Sequence, residues 1–307
     1  MAKPYSASYY FRPHTWPFWV MHLACVGAFF VEFSWWYVAL AVVGYAMRMF
    51  GVTGGYHRYF SHRTYSTSRV FQFLIAFLAM CSAQKGVIWW ASHHRHHHAH
   101  SDQEGDVHSP QDGFWWSHVG WILSDDHEKT EERYVRDLMR FPELVWMDKH
   151  FLVPPTIWGI GMFLIAGLPG LIWGLCISTV LLWHGTFTIN SLSHVWGKVR
   201  YATTDTSRNN FWLAIITLGE GWHNNHHRFQ SSARNGFFWW ELDITYYTLK
   251  FFSLIGVVWD LRPVPAHLLD SHNDSWVKNQ QDYTMFSRKN AEAKAAKKTT
   301  ELAEEMM

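Results

Sequence analysis

The sequence predicts an all-α integral membrane protein, with four transmembrane helices paired as two hairpins beneath a cytoplasmic helical cap. Three observations carry that prediction. Apolar runs of spanning length come in two closely joined pairs, the joins carry no Lys or Arg, and the histidines best spaced for metal binding cluster outside the runs. With no repeat and no second composition break, residues 1–307 read as a single domain.

The first pair is "WPFWVMHLACVGAFFVEF" (16–33) and "WWYVALAVVGYAMRMFGV" (35–52). The second is "FLVPPTIWGIGMFLIAG" (151–167) and "LIWGLCISTVLLWHGTFTI" (171–189), joined by "LPG". Each is close to the ~20 residues that cross a hydrocarbon core of ~30 Å. Joins this short force antiparallel hairpins. Buried helices of a soluble protein are the blander explanation, but Trp and Tyr crowd the run ends, where a membrane interface favours them. Basic residues lie almost entirely in the N-terminal segment, in 53–150 and after 194. The positive-inside bias then places those parts, both termini and every histidine cluster in the cytoplasm.

Two further apolar segments, 70–83 and 244–259, are too short or too interrupted (Lys250) to span, and are expected as interfacial helices. The charged, Ala-rich tail at 287–307 reads as a solvated helix or as disorder. Arg48, inside the second run, is expected to snorkel to the cytoplasmic surface.

A net charge of +1 excludes the basic footprint of a nucleic-acid binder. Cys25, Cys81 and Cys176 sit in apolar surroundings and read as small buried hydrophobes. So few thiols disfavour thiolate zinc and iron–sulfur sites.

The histidines carry the chemistry. In "GEGWHNNHHRF" (219–229), His223, His226 and His227 fall at i, i+3 and i+4, within one helical arc of about 100°. The same spacing recurs at His94, His97 and His98 in "HHRHHH" (93–98). "HRYFSH" (57–62) supplies His57 and His62, and "NSLSH" places Asn190 four residues before His194. A polar helix end rich in histidine explains one cluster, not four. Nine such histidines exceed what one metal needs, whereas two metals with four or five nitrogen ligands each would use them. On a continuous α-helix His57 and His62 would diverge by about 140°, so the second run is expected to unwind or end near Ser61. His96 points away from the box-two arc and suits a supporting or surface role.

With "HRYFSH", "HRHHH" and "HNNHH" as three histidine boxes and "NSLSH" before the third, the chain resembles the membrane fatty-acyl desaturases. The flanks "GGYHRYFSHRTY", "WWASHHRHHH", "FWWSHVGWIL" and "LGEGWHNNHHRF" point to the bacterial, stearoyl-CoA (delta-9)-like type. The likeness runs from about residue 15 to 265. It implies two non-haem irons held by His57, His62, His94, His97, His98, His194, His223, His226 and His227, with Asn190 acting through a water. It implies an O2-dependent cis double bond, at delta-9, in a saturated acyl chain carried on CoA or on lipid. It also puts Trp90 and Thr186 at the bend of the acyl tunnel, and Tyr45 and Met49 at its methyl end. Met49, bulky where relatives can be small, implies a preference for about sixteen carbons over about eighteen.

The chemistry of the ligands agrees. Iron with imidazole ligands activates dioxygen, which magnesium, calcium and zinc cannot do by redox. A methylene pair offers no polar handle, so its position must be set by tunnel shape. One stretch departs from the family: "SDDHE" puts Asp125 and Asp126 where acyl-CoA enzymes have a basic pair, and acids repel phosphate. The carrier is therefore open among CoA, a carrier protein and a membrane lipid, with Lys85 and Arg95 as candidate headgroup contacts. Nothing resembles a fused haem or ferredoxin domain, so an external donor of ferredoxin, rubredoxin or cytochrome type, with its reductase, is expected. A membrane di-iron hydroxylase of lipid or alkane begins with the same C–H abstraction, but hydroxylase families tend to shorter first-box spacing or Glu-containing boxes. In a metal transporter the ligands would line a path across the bilayer, not one side of it.

Overall fold

The structure, a computed structural model, describes residues 10–278, so the tail at 287–307 lies outside the described residues. The chain is predominantly helical. Helix α1 (Trp16–Ala24) continues into a 3-10 turn, Cys25–Phe29. Ser34 accepts a hydrogen bond from the Trp36 N–H and so caps α2 (Trp35–Phe50), which widens without a break into a π-helix, Gly51–Ser61. Then come α3 (Arg69–Met80), α4 (Val87–His100), α5 (Pro142–Lys149) and α6 (Val153–Gly170). A π-turn, Leu171–Ile177, leads into α7 (Ser178–Asn190) and the short α8 (Leu192–Val195). The cap is completed by α9 (Phe211–Ile216), α10 (His223–Arg228), α11 (Ile244–Leu254) and α12 (Ala266–Leu269). Two-residue strands, β1 (Ser66–Thr67) and β2 (Val258–Trp259), pair antiparallel with Ser66 opposite Trp259.

Among the described residues two helical runs are long and apolar enough to cross a membrane: Trp35–Ser61, of 27 residues, and Val153–Val195, of 43. The second folds back on itself. Its backbone leaves the helix at Ala166 and Gly167 (φ 59°), and Gly170 follows, where a Cβ would lie 2.1 Å from the Met162 carbonyl oxygen. Trp158 Nε1 donates to the Gly174 carbonyl (3.0 Å), tying the two arms together. The outer faces of these helices are apolar and bare, as at Phe29 (87% exposed) and Leu164 (78%). So large an exposed apolar belt belongs in lipid.

Three expectations meet differences. The first apolar run is helical only to Phe29, because Glu32 and Ser34 interrupt it and Ser34 is used as a cap. The interfacial helix expected over 244–259 stops at Leu254. Gly256, at φ 74°, turns the chain so that Val258 and Trp259 become β2. Arg48 does not snorkel. It is fully buried, and its guanidinium donates to the carbonyls of Gly44 (3.0 Å) and Cys81 (3.2 Å) and to the hydroxyls of Thr179 (2.6 Å) and Ser178. The Trp158 ring lies 4.9 Å beneath it. Acceptors on three helices thus satisfy a cation that composition rules send to water.

The core fills the angle between these helices. Met49, Val52, Tyr56 and Phe60 run down one side of α2 and its π extension, facing Ile75 and Ala79 of α3, Ile88 of α4 and Leu182 of α7. At Gly51 a Cβ would sit 2.7 Å from the Ala79 nitrogen, so α2 and α3 meet backbone to backbone. A ladder of rings joins α1 to α7 and the cap: His22 Nε2 to His184 Nε2 at 3.0 Å, His184 Nδ1 to His118 Nε2 at 3.0 Å, and His118 Nδ1 to Ser191 Oγ at 2.9 Å.

Arg48→Met keeps the volume but strands two hydroxyls and two carbonyls, a cost of about 2–4 kcal/mol. We expect its apparent melting temperature in detergent to fall by at least about 5 °C. An unchanged melting curve would mean that the buried guanidinium is not what joins α2 to α7.

Candidate metal centre and cavity

The histidine boxes reach one place by different local means. In the first, hydrogen bonds of the i→i+5 kind, such as His62 N to His57 O (3.1 Å), place the two rings about one turn apart. The run does end at Ser61, but it gets there by widening rather than unwinding. In the second, the straight α4 puts His94 and His98 on one face and His97 on the next. Asp148 holds the start of α4, accepting from the Ile88 (2.8 Å) and Trp89 (3.0 Å) amides. The third sits on α10, too short to be stable alone. Its two asparagines anchor it: Asn224 accepts from the Arg200 and Tyr201 amides, and Asn225 donates to Glu241 (2.9 Å) and to the Asn235 carbonyl. Gly219 (φ 123°) makes the turn into α10, and a Cβ there would lie 2.4 Å from Asp243 Oδ1.

The rings converge in two groups. His57, His62, His94, His98 and His226 present ring nitrogens all within 4.8 Å of one another. Adjacent Nε2 atoms stand 2.8 Å (His62–His94), 3.0 Å (His94–His98), 3.1 Å (His98–His226) and 3.0 Å (His226–His57) apart. The second group is His97, His194 and His227, and His223 joins it through His194, Nε2 to Nε2 at 3.1 Å. Nitrogens about 3 Å apart form the edge of a coordination shell with metal–nitrogen bonds of about 2.1 Å.

Behind the rings stand carboxylates that the sequence reading missed. Glu220 Oε2 lies 2.7 Å from His57 Nδ1, Asp106 Oδ1 2.8 Å from His97 Nδ1, Asp102 Oδ2 3.1 Å from His194 Nδ1, and Asp205 Oδ2 2.7 Å from His227 Nδ1. A carboxylate at Nδ1 fixes the proton there and leaves Nε2 as a bare lone pair aimed inward. His227 Nε2 is buried without a hydrogen-bond partner. Lone pairs turned on one another in a dry pocket ask for a cation.

The charges agree. Burial first, then crowding by neighbouring rings, pushes His62, His94, His98, His223 and His226 well below the ordinary imidazole range, so they are neutral and ligand-ready. Burial pulls the acids the other way, yet His227 holds Asp205, and His97 and His108 hold Asp106, below the usual carboxylate range; Asp106 comes down to about 2. Glu220 and Asp243 also face the buried Arg58, at 3.0 and 2.9 Å. Five buried carboxylates face one buried guanidinium, so negative charge is in excess around the rings and bound cations would offset it. All-imidazole donors suit iron, zinc, copper or nickel rather than magnesium or calcium.

The first histidine group borders an apolar cavity of about 660 Å³. Gln84, Trp90, His94, Thr186, Phe187 and Asn190 form its inner end. Trp90 stacks on His94 (4.9 Å between centroids), and Gln84 Nε2 donates to Thr186 Oγ1 (3.1 Å). Lys85 lines the cavity with its ammonium 5.6 Å from the Trp89 ring centroid. Arg95 is not there. Asp137 (2.7 Å) and the carbonyls of Ser61 and Tyr134 take up its guanidinium. Tyr45 and Met49 lie off the described lining, packed on Gly185 just before Thr186. His96 turns away from the cluster to Glu131, as its register predicts.

The family model described as "Fatty acid desaturase" matches residues 33–252. The chain belongs to the fatty acid desaturase family. It is 38% identical over 233 residues to the "sn-2 palmitoyl-lipid 9-desaturase" of Nostoc sp., covering 73% of this chain and 81% of that protein. With the "sn-1 stearoyl-lipid 9-desaturase" of Synechocystis sp. it shares 37% over 248 residues, 80% of this chain and 78% of that one. The "Acyl-CoA 5-desaturase AL21" of Anemone leveillei is 34% identical over 252 residues, covering 81% and 78%. The desaturase is thus an oxidoreductase of lipid metabolism, and hydroxylase chemistry is not favoured.

Asp205→Asn keeps an acceptor for His227 Nδ1 but removes the charge. Metal affinity of the stripped protein should fall about 10–100-fold, read by titration with a divalent transition metal. Unchanged affinity would show that Asp205 does not tune the ring.

Proposed function

We propose that this desaturase binds two non-haem irons and inserts a cis double bond, at delta-9, into a saturated acyl chain. The observation that carries the reading is the convergence of nine rings, in groups of five and four, the first of which reaches an apolar cavity through His94. His57, His62, His94, His98 and His226 would hold one iron, and His97, His194, His223 and His227 the other, with Asn190 acting through a water. Bound iron supplies the activation of dioxygen that removes the two hydrogens. Overall, the two substrate hydrogens, dioxygen, two electrons and two protons leave as two waters. The electrons come from an external donor, of ferredoxin, rubredoxin or cytochrome type.

The chain's own residues position the substrate. Trp90 and Thr186 flank the inner cavity and bend the acyl chain beside His94. Tyr45 and Met49, behind Gly185, limit the space beyond the bend and favour about sixteen carbons. The delta-9 position and the acyl-lipid or acyl-CoA carrier follow the named relatives.

Residues 1–307 act as one domain whose four spans leave both termini and the metal centre in the cytoplasm. In a cysteine-free background, Phe30→Cys and Leu168→Cys should react with an impermeant thiol reagent from outside, and Ser231→Cys only after permeabilisation. Outside labelling of Ser231→Cys would overturn this topology.

Expressed in a host without the activity, the protein should yield delta-9 monounsaturated chains. His226→Ala should lower activity by at least about a hundredfold and lose iron, whereas His96→Ala should keep most of both. A fully active His226→Ala protein would take that ring out of the site.

A further inference from the structure

The cavity does not end in the cap. From its inner end it runs along Trp183 and reaches the membrane-facing helices, where Phe18 and Met21 of α1 form one wall. Leu152, Thr156, Gly159 and Ile160 form the other. Their spacing puts all four on one stripe of α6 and its N-cap residue, Leu152. Leu152 (63% exposed) and Ile160 (54%) belong at once to this lining and to the apolar outer belt. Gly159 keeps the wall thin: a Cβ there would already stand 3.1 Å from Leu175 Cδ2.

We propose that the acyl chain of a membrane glycerolipid enters sideways from the bilayer, through a portal between α1 and the Leu152–Ile160 stripe of α6. This rests on the reading of the cavity as the acyl channel and adds the route and the carrier. The stripe spans about 12 Å of helix rise, close to the depth of one leaflet's hydrocarbon. Charge points the same way. Among the described residues Lys85 is the one Lys or Arg lining the cavity, and it shares the polar mouth with His14 and Glu128. Asp125 stands by, 3.1 Å from His14 Nε2 and ion-paired with Arg12, which keeps that guanidinium from a phosphate. One ammonium beside these acids can meet a single lipid phosphate. It cannot neutralise the pyrophosphate and ribose phosphate of CoA.

The test uses full-length, iron-loaded protein in phosphatidylcholine vesicles whose lipids carry saturated chains, with the same chain supplied separately as its CoA thioester. Thr156→Trp and Ile160→Trp, which fill the stripe from its lipid side, should slow desaturation of the lipid-borne chain at least tenfold at unchanged iron content. Leu164→Trp, one turn on and off the cavity, should not. Independently of turnover, a photoactivatable phosphatidylcholine should label the Met21 and Ile160 peptides above the Leu164 peptide, also in iron-free protein. If wild type desaturates the lipid and both tryptophan variants keep its rate, the portal is wrong while the desaturase assignment stands. Turnover of the thioester alone would overturn the lipid route. Turnover of neither would overturn the proposed function itself.

Discussion

Four imidazoles backed by buried carboxylates set the terms for everything above the membrane. Each carboxylate costs several kcal/mol to bury, and none has a cationic side chain to itself. They are tolerable because each is hydrogen-bonded to a ring and because the rings face a place where positive charge can sit. The loops of the cap follow from that need. The segment after α4 delivers Asp102 and Asp106, the segment before α9 delivers Asp205, and the turn into α10 delivers Glu220. Thr206 then donates to Asp102 through its amide (2.7 Å) and hydroxyl (2.6 Å), so the loops hold one another as well as the rings. A polar network held at so many points is rigid, and rigidity is what a ligand shell requires.

The membrane helices meet this network without a joint. α2 passes from the apolar belt into the histidine groups as one continuous helix, and α7 does nearly the same, ending at Asn190 two residues before α8. Arg48 clamps the two together halfway along. The cavity is the space these helices leave beside α1 and α6. Its shape is therefore set by the same packing that sets the ring positions, and its inner end and the ring groups keep a fixed separation.

How much of this was legible in the sequence depends on distance along the chain. The histidine groups were readable because i, i+3 and i+4 spacings are local, and Trp90 and Thr186, named through the family likeness, do line the cavity. The carboxylates were not: His194 and Asp102 are 92 residues apart, and no periodicity links them. Glu220 lay in plain view, three residues before His223, and an acid set among neutral ring donors was the signal available. Arg48 was misread because composition rules offer a cation only lipid or water, while helices can supply hydroxyls and carbonyls. Arg95 was misassigned for the same reason, its partner Asp137 being 42 residues away. The first apolar run looked longer than its helix because hydropathy does not register that Ser34 is worth more as a cap than as filler.

The π-helix between Gly51 and Ser61 makes chain length itself an inherited property of this segment. In the cap's surface loops a residue gained or lost can be absorbed locally. Here one residue fewer would tighten the helix towards an ordinary α pitch and turn everything beyond it by about 100°. His62 would leave its ring partners, Arg58 its two carboxylates, and Phe60 the core, all in one step. Substitutions can test these residues one at a time, but a deletion tests them together. Among descendants of this chain, this stretch should keep its length even where its letters drift.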